Sequence, residues 1–307
     1  MNRRDFLGAS TGSGIMLNAI QTVAEKKQFS PKSSAALKLK VLATNWGFAG
    51  NTDAFCAAAK KEGYDGIEVW WPNEKKDQQE LFTALDKHQL EVGFLCGGYQ
   101  KDAKEHLDTF KKALHAAIMS AHKPLYINCH SGRDYFTYDQ NKLFIDATTE
   151  ASQKSGIKVL HETHRGRMLF AAHIAHNFIE KNPSLRLTLD ISHWCNVHES
   201  LLEDQTEAVQ AALQRVDHIH SRIGHQEGPQ VNDPRAPEWE NVVKAHLAWW
   251  DKVAEYKVKS GDTLTILTEF GPPNYLPTLP YTKQPLADQW GINVYMMQLL
   301  RNRYLKQ

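Results

Sequence analysis

The chain has 307 residues, 42% hydrophobic and 23% charged, enough for one large α/β core. Its formal net charge is +1 and no basic block lies beyond the N-terminus, so nothing electrostatic favours a nucleic-acid or anionic-membrane partner. Cys56, Cys96, Cys129 and Cys195 have no CxxC spacing and read as small core residues rather than a zinc ribbon or disulfide framework. Histidine stands out at 15 residues, clustered at His161/His164, His193/His198 and His218/His220/His225, which points toward metal or proton chemistry.

The first residues, Asn2-Arg3-Arg4-Asp5-Phe6-Leu7-Gly8, resemble a twin-arginine export signal, and a weakly apolar stretch follows. That stretch is too short and too rich in Gly and Ser to span a bilayer as a mature helix. Residues 1–30 therefore read as signal and linker, and the protein is expected in the periplasm without stable membrane insertion. Residues 37–307 read as a single domain.

Within that domain strands and helices alternate. Strands are expected at 38–44, 67–71, 91–96, 124–129, 157–162, 185–190, 216–221 and 263–269, as short runs rich in aliphatic residues bounded by Gly, Pro or Asn. Helices are expected at 52–61, 77–88, 103–121, 139–155, 168–181, 201–214, 239–256 and 287–305. Eight strands alternating with eight helices predict a closed (β/α)8 TIM barrel. The long Gly- and Pro-rich segments 224–237 and 271–285 follow the last two strands, on the face where such barrels keep their chemistry.

Strands five to eight end in Glu162, Asp190, His220 and Glu269. These strands are neighbours in a barrel, so the four side chains can converge. Three carboxylates and one imidazole suit one divalent metal ion, Mn2+, Co2+ or Mg2+, with Zn2+ also compatible. A cation chelating a carbonyl and the adjacent hydroxyl would acidify the intervening C–H, and two carboxylates could take and return the proton.

With these residues the chain resembles the xylose-isomerase-like barrel superfamily, in particular its sugar isomerases and ketose 3-epimerases. Gly63-Tyr64-Asp65-Gly66-Ile67-Glu68 matches the second-strand motif G-[FY]-D-G-[IV]-E. Asp190 and His193 match an Asp-x-x-His after strand six, and His220 the second His of a His-x-His on strand seven. The resemblance implies that Glu162, Asp190, His220 and Glu269 hold the metal, that Glu162 and Glu269 act as acid and base, and that His193 holds a substrate oxygen. The 3-epimerases carry an Arg six residues after the metal His, where this chain has Gln226; Arg222 or His225 is expected to line the pocket instead.

Other contacts to a carbohydrate substrate are expected from His130, His164, Trp46 and Trp70, indole being a good platform for a sugar's apolar face. Arg165 and Arg167 make the loop after strand five more cationic than a neutral sugar needs, and would suit a carboxylated, phosphorylated or keto-sugar substrate. Glu68 reads as a partner that orients a ligand rather than a ligand. His218 is expected to face the helices. The leading function is a metal-dependent sugar isomerase or epimerase. A keto-sugar or cyclitol dehydratase on the same site is the alternative; an apurinic-site endonuclease or a non-catalytic sugar-binding protein fits less well. A homo-oligomer is left open.

Overall fold

The computed structural model describes residues 36–305, so the signal and linker expected over residues 1–30 lie outside the described residues. Eight parallel strands, β1 (Lys38–Thr44), β2 (Gly66–Trp70), β3 (Glu91–Gly97), β4 (Tyr126–His130), β5 (Lys158–Glu162), β6 (Leu187–Leu189), β7 (Val216–His220) and β8 (Thr263–Thr268), follow one another around a closed barrel. Closure is made by β8 against β1 over six paired residues, from Lys38 with Thr263 to Ala43 with Thr268. The helices are α1 (Thr52–Glu62), α2 (Lys75–His88), α3 (Ala103–Ile118), α4 (Tyr138–Ser155), α5 (Ala172–Lys181), α6 (Ser192–Val197), α7 (Thr206–Leu213), α8 (Glu240–Ser260) and α9 (Gln289–Leu305).

Local chemistry sets many of the boundaries. Asn51 and Asp102 accept backbone N–H bonds at the starts of α1 and α3, and Thr137 with Gln140 forms a reciprocal cap on α4. The expected helix over 201–214 is shorter, and the chain spends its first turn after β6 on α6, which carries His193. Strand β6 is also shorter than expected, and its pairing with β7 slips between Leu187 and Thr188.

Side-chain alternation divides the apolar residues into two cores. Residues such as Val41, Ile67, Phe94, Ile127, Leu189 and Ile219 point out against the helices in one large cluster. Leu42, Tyr126, Leu160 and Leu267 point inward and form a small separate cluster inside the barrel. The Tyr126 ring fits because β3 has Gly93 opposite it: a Cβ there would lie 2.5 Å from the tyrosine ring. Above this plug the inward positions turn polar, with Glu68, Asn128, Glu162, Asp190, His218 and His220 all buried. The two long loops over this end are tied together by Gln230, whose amide donates to Gly271 O at 3.1 Å and accepts from Gly271 N at 2.7 Å. No helix among the described residues is long and apolar enough to cross a membrane.

At the opposite end, Asp217 at the start of β7 is buried between Lys257 on α8 and Arg186, whose Nε donates to it at 2.7 Å. Burial raises the Asp217 carboxyl, yet Arg186 and Lys257 together draw it well below its ordinary value. A carboxylate held low in the fold stabilises at neutral pH, and that contribution is lost in acid below about pH 4. Asp217→Asn should leave the buried Lys257 with only Asp262, at 3.9 Å, as a counter-ion and cost about 3 kcal/mol. Urea unfolding at pH 7 checks this, and the difference from the wild type should shrink as the pH falls.

Candidate active site

The C-terminal ends of β5 to β8 bring together Glu162 and His220, the last residues of β5 and β7, with Asp190 and Glu269, the residues after β6 and β8. His220 is the centre. Its Nδ1 lies 3.0 Å from Glu269 Oε2 and 3.7 Å from Glu162 Oε2, and its Nε2 lies 3.0 Å from Glu68 Oε1. Burial disfavours the imidazolium, but Glu269, Glu68 and Glu162 outweigh it and raise the His220 pKa well above the ordinary histidine value.

Glu162 Oε2 accepts from Asn128 Nδ2 and from His130 Nε2, both at 2.6 Å. Burial raises this carboxyl, but His130 and His220 hold it well below the usual range. Its other oxygen, Oε1, is buried and has no hydrogen-bond partner among the described residues. Asp190, the residue after β6, accepts from the Ser192 backbone N–H at 3.1 Å and from the Ser192 hydroxyl. Its second oxygen takes the Nη2 of Arg222. Burial, only partly offset by Arg222, raises the Asp190 carboxyl to about 6, with Glu269 and Glu162 adding to the rise.

Arg222 is itself buried. Besides Asp190, its Nη2 lies 3.5 Å from Glu269 Oε2 and donates to His193 Nε2 at 2.8 Å. His193 is thereby fixed as the neutral ring with its proton on Nδ1. Burial, with the charges of His164 and Arg222, holds its pKa well below the ordinary value. That Nδ1 is buried and has no hydrogen-bond partner among the described residues.

The other expected site residues divide. His130 joins Glu162 directly, and Trp70 meets its ring edge-on at 5.2 Å. His164 lies with its ring 3.8 Å from that of His193. Trp46 packs on Tyr275 at 4.9 Å and on the Arg222 guanidinium at 6.0 Å, leaving it 37% exposed. Of the two residues expected to replace the missing Arg, Arg222 is in the site. His225 instead bridges to Gly228 in its own loop and stacks near Trp239 at 4.8 Å.

His218 corrects an expectation. Positions two apart share a face of a strand, so His218 points inward with His220 and not toward the helices. Its Nε2 lies 3.2 Å from Glu68 Oε2, which also accepts from Tyr126 Oη at 2.7 Å. Glu68 thus sits beneath His220 as a buried carboxylate held by two imidazoles and a phenol.

Asn128, Ser192 and Tyr275 are not among the residues expected from the sequence. Asn128 was within reach of it, since it lies two residues before His130 on the same strand face. Tyr275 was not: it sits in an aperiodic Pro-rich loop, yet its ring packs 4.7 Å from the Arg222 guanidinium and 5.2 Å from that of Arg165.

Potential metal ligand atoms of Glu162, Asp190 and His220 lie within 4.8 Å of one another, and the same holds for His130, Glu162 and His164 and for Glu68, His218 and His220. The first group, with Glu269 beside it, fits a divalent ion best. It offers carboxylate oxygens around one imidazole, and the partnerless Glu162 Oε1 is an acceptor lacking a cation. Arg222 claims one oxygen of Asp190, so an ion there would share Asp190 with the guanidinium.

Residues 56–226 match the family described as xylose isomerase-like TIM barrel. The chain belongs to that family. No curated protein matches it significantly in sequence. Among solved structures, a 3-keto-D-glucoside 4-epimerase from E. coli superposes with a TM-score of 0.54 at 15% identity, covering 86% of this chain and all of that one. A probable 3-DHS dehydratase from Bacillus anthracis gives 0.54 at 16% identity, over 86% of this chain and 99% of that one. A xylose isomerase domain containing protein from Salmonella typhimurium gives 0.53 at 12% identity, over 85% and 96%. At these identities the likeness establishes the barrel alone.

The charge balance of the site is testable directly. Arg222→Met leaves Asp190 and Glu269 without their guanidinium and should cost about 3 kcal/mol of stability, measured by urea unfolding of metal-free protein. Adding Asp190→Asn should recover part of that loss, with a coupling of about 1 kcal/mol or more between the two changes.

Proposed function

We propose that the protein is a divalent-metal-dependent isomerase or epimerase acting on a sugar or sugar derivative. One observation carries this reading: Glu162 and Glu269, from strands three apart around the barrel, both reach the same nitrogen of His220. Two carboxylates facing one point from different strands can address the two faces of a substrate carbon. Glu162, Asp190, His220 and Glu269 would hold the ion. When bound, a divalent cation would polarise the substrate carbonyl and its neighbouring hydroxyl.

The chain's own groups account for the rest. One of Glu162 and Glu269 removes the proton from the carbon next to the carbonyl, giving an enediolate, and the other returns a proton to the opposite face or to the neighbouring carbon. Asn128 and His130 keep Glu162 oriented and ionised. Arg222 holds Asp190 and Glu269 in place and sets a fixed positive charge beside the developing oxyanion. His193 Nδ1, buried and without a partner, is the donor for a substrate oxygen. Trp46 and Trp70, half-exposed at the rim, offer ring faces to the sugar. Glu68, with its Oε1 3.0 Å from His220 Nε2, places a negative charge behind the ring whose Nδ1 faces the site.

A second reading, elimination of water from a keto-sugar or cyclitol, is favoured by His130. It contacts Glu162 at 2.6 Å and is an extra proton carrier for a leaving hydroxyl. Products separate the two, because elimination yields an ultraviolet-absorbing enone. The twin-arginine-like start is the reason to place this activity in the periplasm.

Asp190→Asn should lose bound metal and activity together, read by metal analysis and turnover. Glu162→Gln and Glu269→Gln should each slow exchange of a substrate C–H proton with deuterated water by about 10²–10⁴-fold, with metal content falling less. Full exchange in both Gln variants would rule the proposed acid and base out.

A further inference from the structure

Two arginines at the rim stand outside the network described so far. Arg133 follows β4 and Arg167 follows β5, and both converge on Tyr99, which follows β3. Arg133 Nη2 donates to Tyr99 O at 3.2 Å, and the Arg167 guanidinium lies 5.6 Å from the centre of the Tyr99 ring. The Tyr99 ring lies 6.0 Å from Trp70, which packs on the His130 that contacts Glu162. The pair therefore borders the catalytic mouth on its β3–β5 side. Gly166, with φ +73°, lets the chain turn between the two arginines of its loop. Arg165 goes to Asn196 at 3.0 Å, and Arg167 goes the other way to Tyr99.

Arg167 is only 9% exposed, its Nη1 is buried without a hydrogen-bond partner among the described residues, and Arg133 Nε is in the same condition. Neither guanidinium has a carboxylate within salt-bridge distance among the described residues, although other buried cations do: Arg222 has Asp190 and Lys257 has Asp217. Asp134, next in sequence, turns its carboxylate to the Tyr135 backbone N–H instead. Burial pulls the Arg167 pKa down and the charge of Arg133 adds to it. A buried, uncompensated guanidinium is costly in the fold, and a second cation beside it increases the cost. An oxyanion bound between the two would satisfy the free N–H groups and both charges.

We propose that Arg133 and Arg167 form a subsite for an oxyanion, a carboxylate or a phosphate ester, carried by the sugar that reacts at Glu162 and Glu269. The substrate is then an acidic sugar derivative. Only the identity of the carrier rests on the function proposed above; the subsite itself is tested by binding, without turnover.

The experiment is a thermal-unfolding titration of the full chain in anion-poor buffer with D-glucuronate, D-glucose 6-phosphate and D-glucose. The wild type should be stabilised by at least one anionic sugar at concentrations at least tenfold below those at which glucose acts, and which anion does so separates carboxylate from phosphate. Without any sugar, Arg167→Met should raise the midpoint, because it removes an unpaired buried charge while keeping most of the volume; a purely structural arginine would lower it. Arg167→Met and Arg133→Met should each weaken the anionic sugar at least tenfold while leaving the effect of glucose unchanged. The proposal is overturned if Arg167→Met lowers the midpoint, if neither anion outperforms glucose on the wild type, or if both variants bind the anion as the wild type does. A protein that passes these tests but shows no exchange of substrate protons with solvent would sink the isomerase reading and leave the subsite standing.

Discussion

Much of the barrel mouth depends on a single imidazole. His220 stands among Glu68, Glu162 and Glu269, each within 4 Å of one of its nitrogens. Three carboxylates that close, inside a protein, repel one another strongly and pay a large desolvation cost. The imidazolium supplies one compensating charge from within, and Arg222 supplies a second on the side of Asp190 and Glu269. Glu68 and Glu162 are held well below the usual carboxylate range because the imidazoles beside them are fixed on β4 and β7. The unpaired oxygen of Glu162 marks the remaining imbalance, and it is there that a divalent ion fits.

The barrel makes this arrangement from two rules. Alternation of side chains sends every second residue of each strand inward, and closure in chain order puts strands five to eight side by side. Below, the inner layer is apolar, with Leu42, Leu160, Leu267 and the Tyr126 ring packed against Gly93. The Tyr126 hydroxyl then turns up to Glu68 and joins the apolar plug to the polar layer. Farther down, the buried charges around Asp217 are locally paired and concern stability. At the mouth the charges are left incompletely paired, as binding and catalysis require.

The arginines show the same contrast on a smaller scale. Arg222 is buried and has a carboxylate on one side, another within 3.5 Å and an imidazole on the third. Arg167 is nearly as buried and, among the described residues, has an aromatic ring but no anion. Two guanidinium groups of the same chemistry thus meet opposite electrostatic environments within one mouth. The first belongs to the protein's internal balance; the second is the one for which an oxyanion partner is proposed.

How much of this was legible beforehand follows from which contacts are local in the chain. Periodicity and turn residues identified eight strands and their helices, and the acidic or imidazole residue ending each of strands five to eight was visible as such. Those features depend on neighbours a few residues away, so the sequence alone determined them, together with the family resemblance that the fold bears out. Even parity was enough to place His218 beside His220, against the expectation that it faces the helices. The short helix bearing His193, the Asn128 amide on Glu162 and Tyr275 over Arg222 were decided only by tertiary structure. So were the separation of Arg222 from His225 and the union of Arg133 and Arg167 around Tyr99. Each of these joins segments about 30 or more residues apart or depends on an aperiodic loop, where no local pattern records which side chain will meet which; only barrel closure fixes those distances.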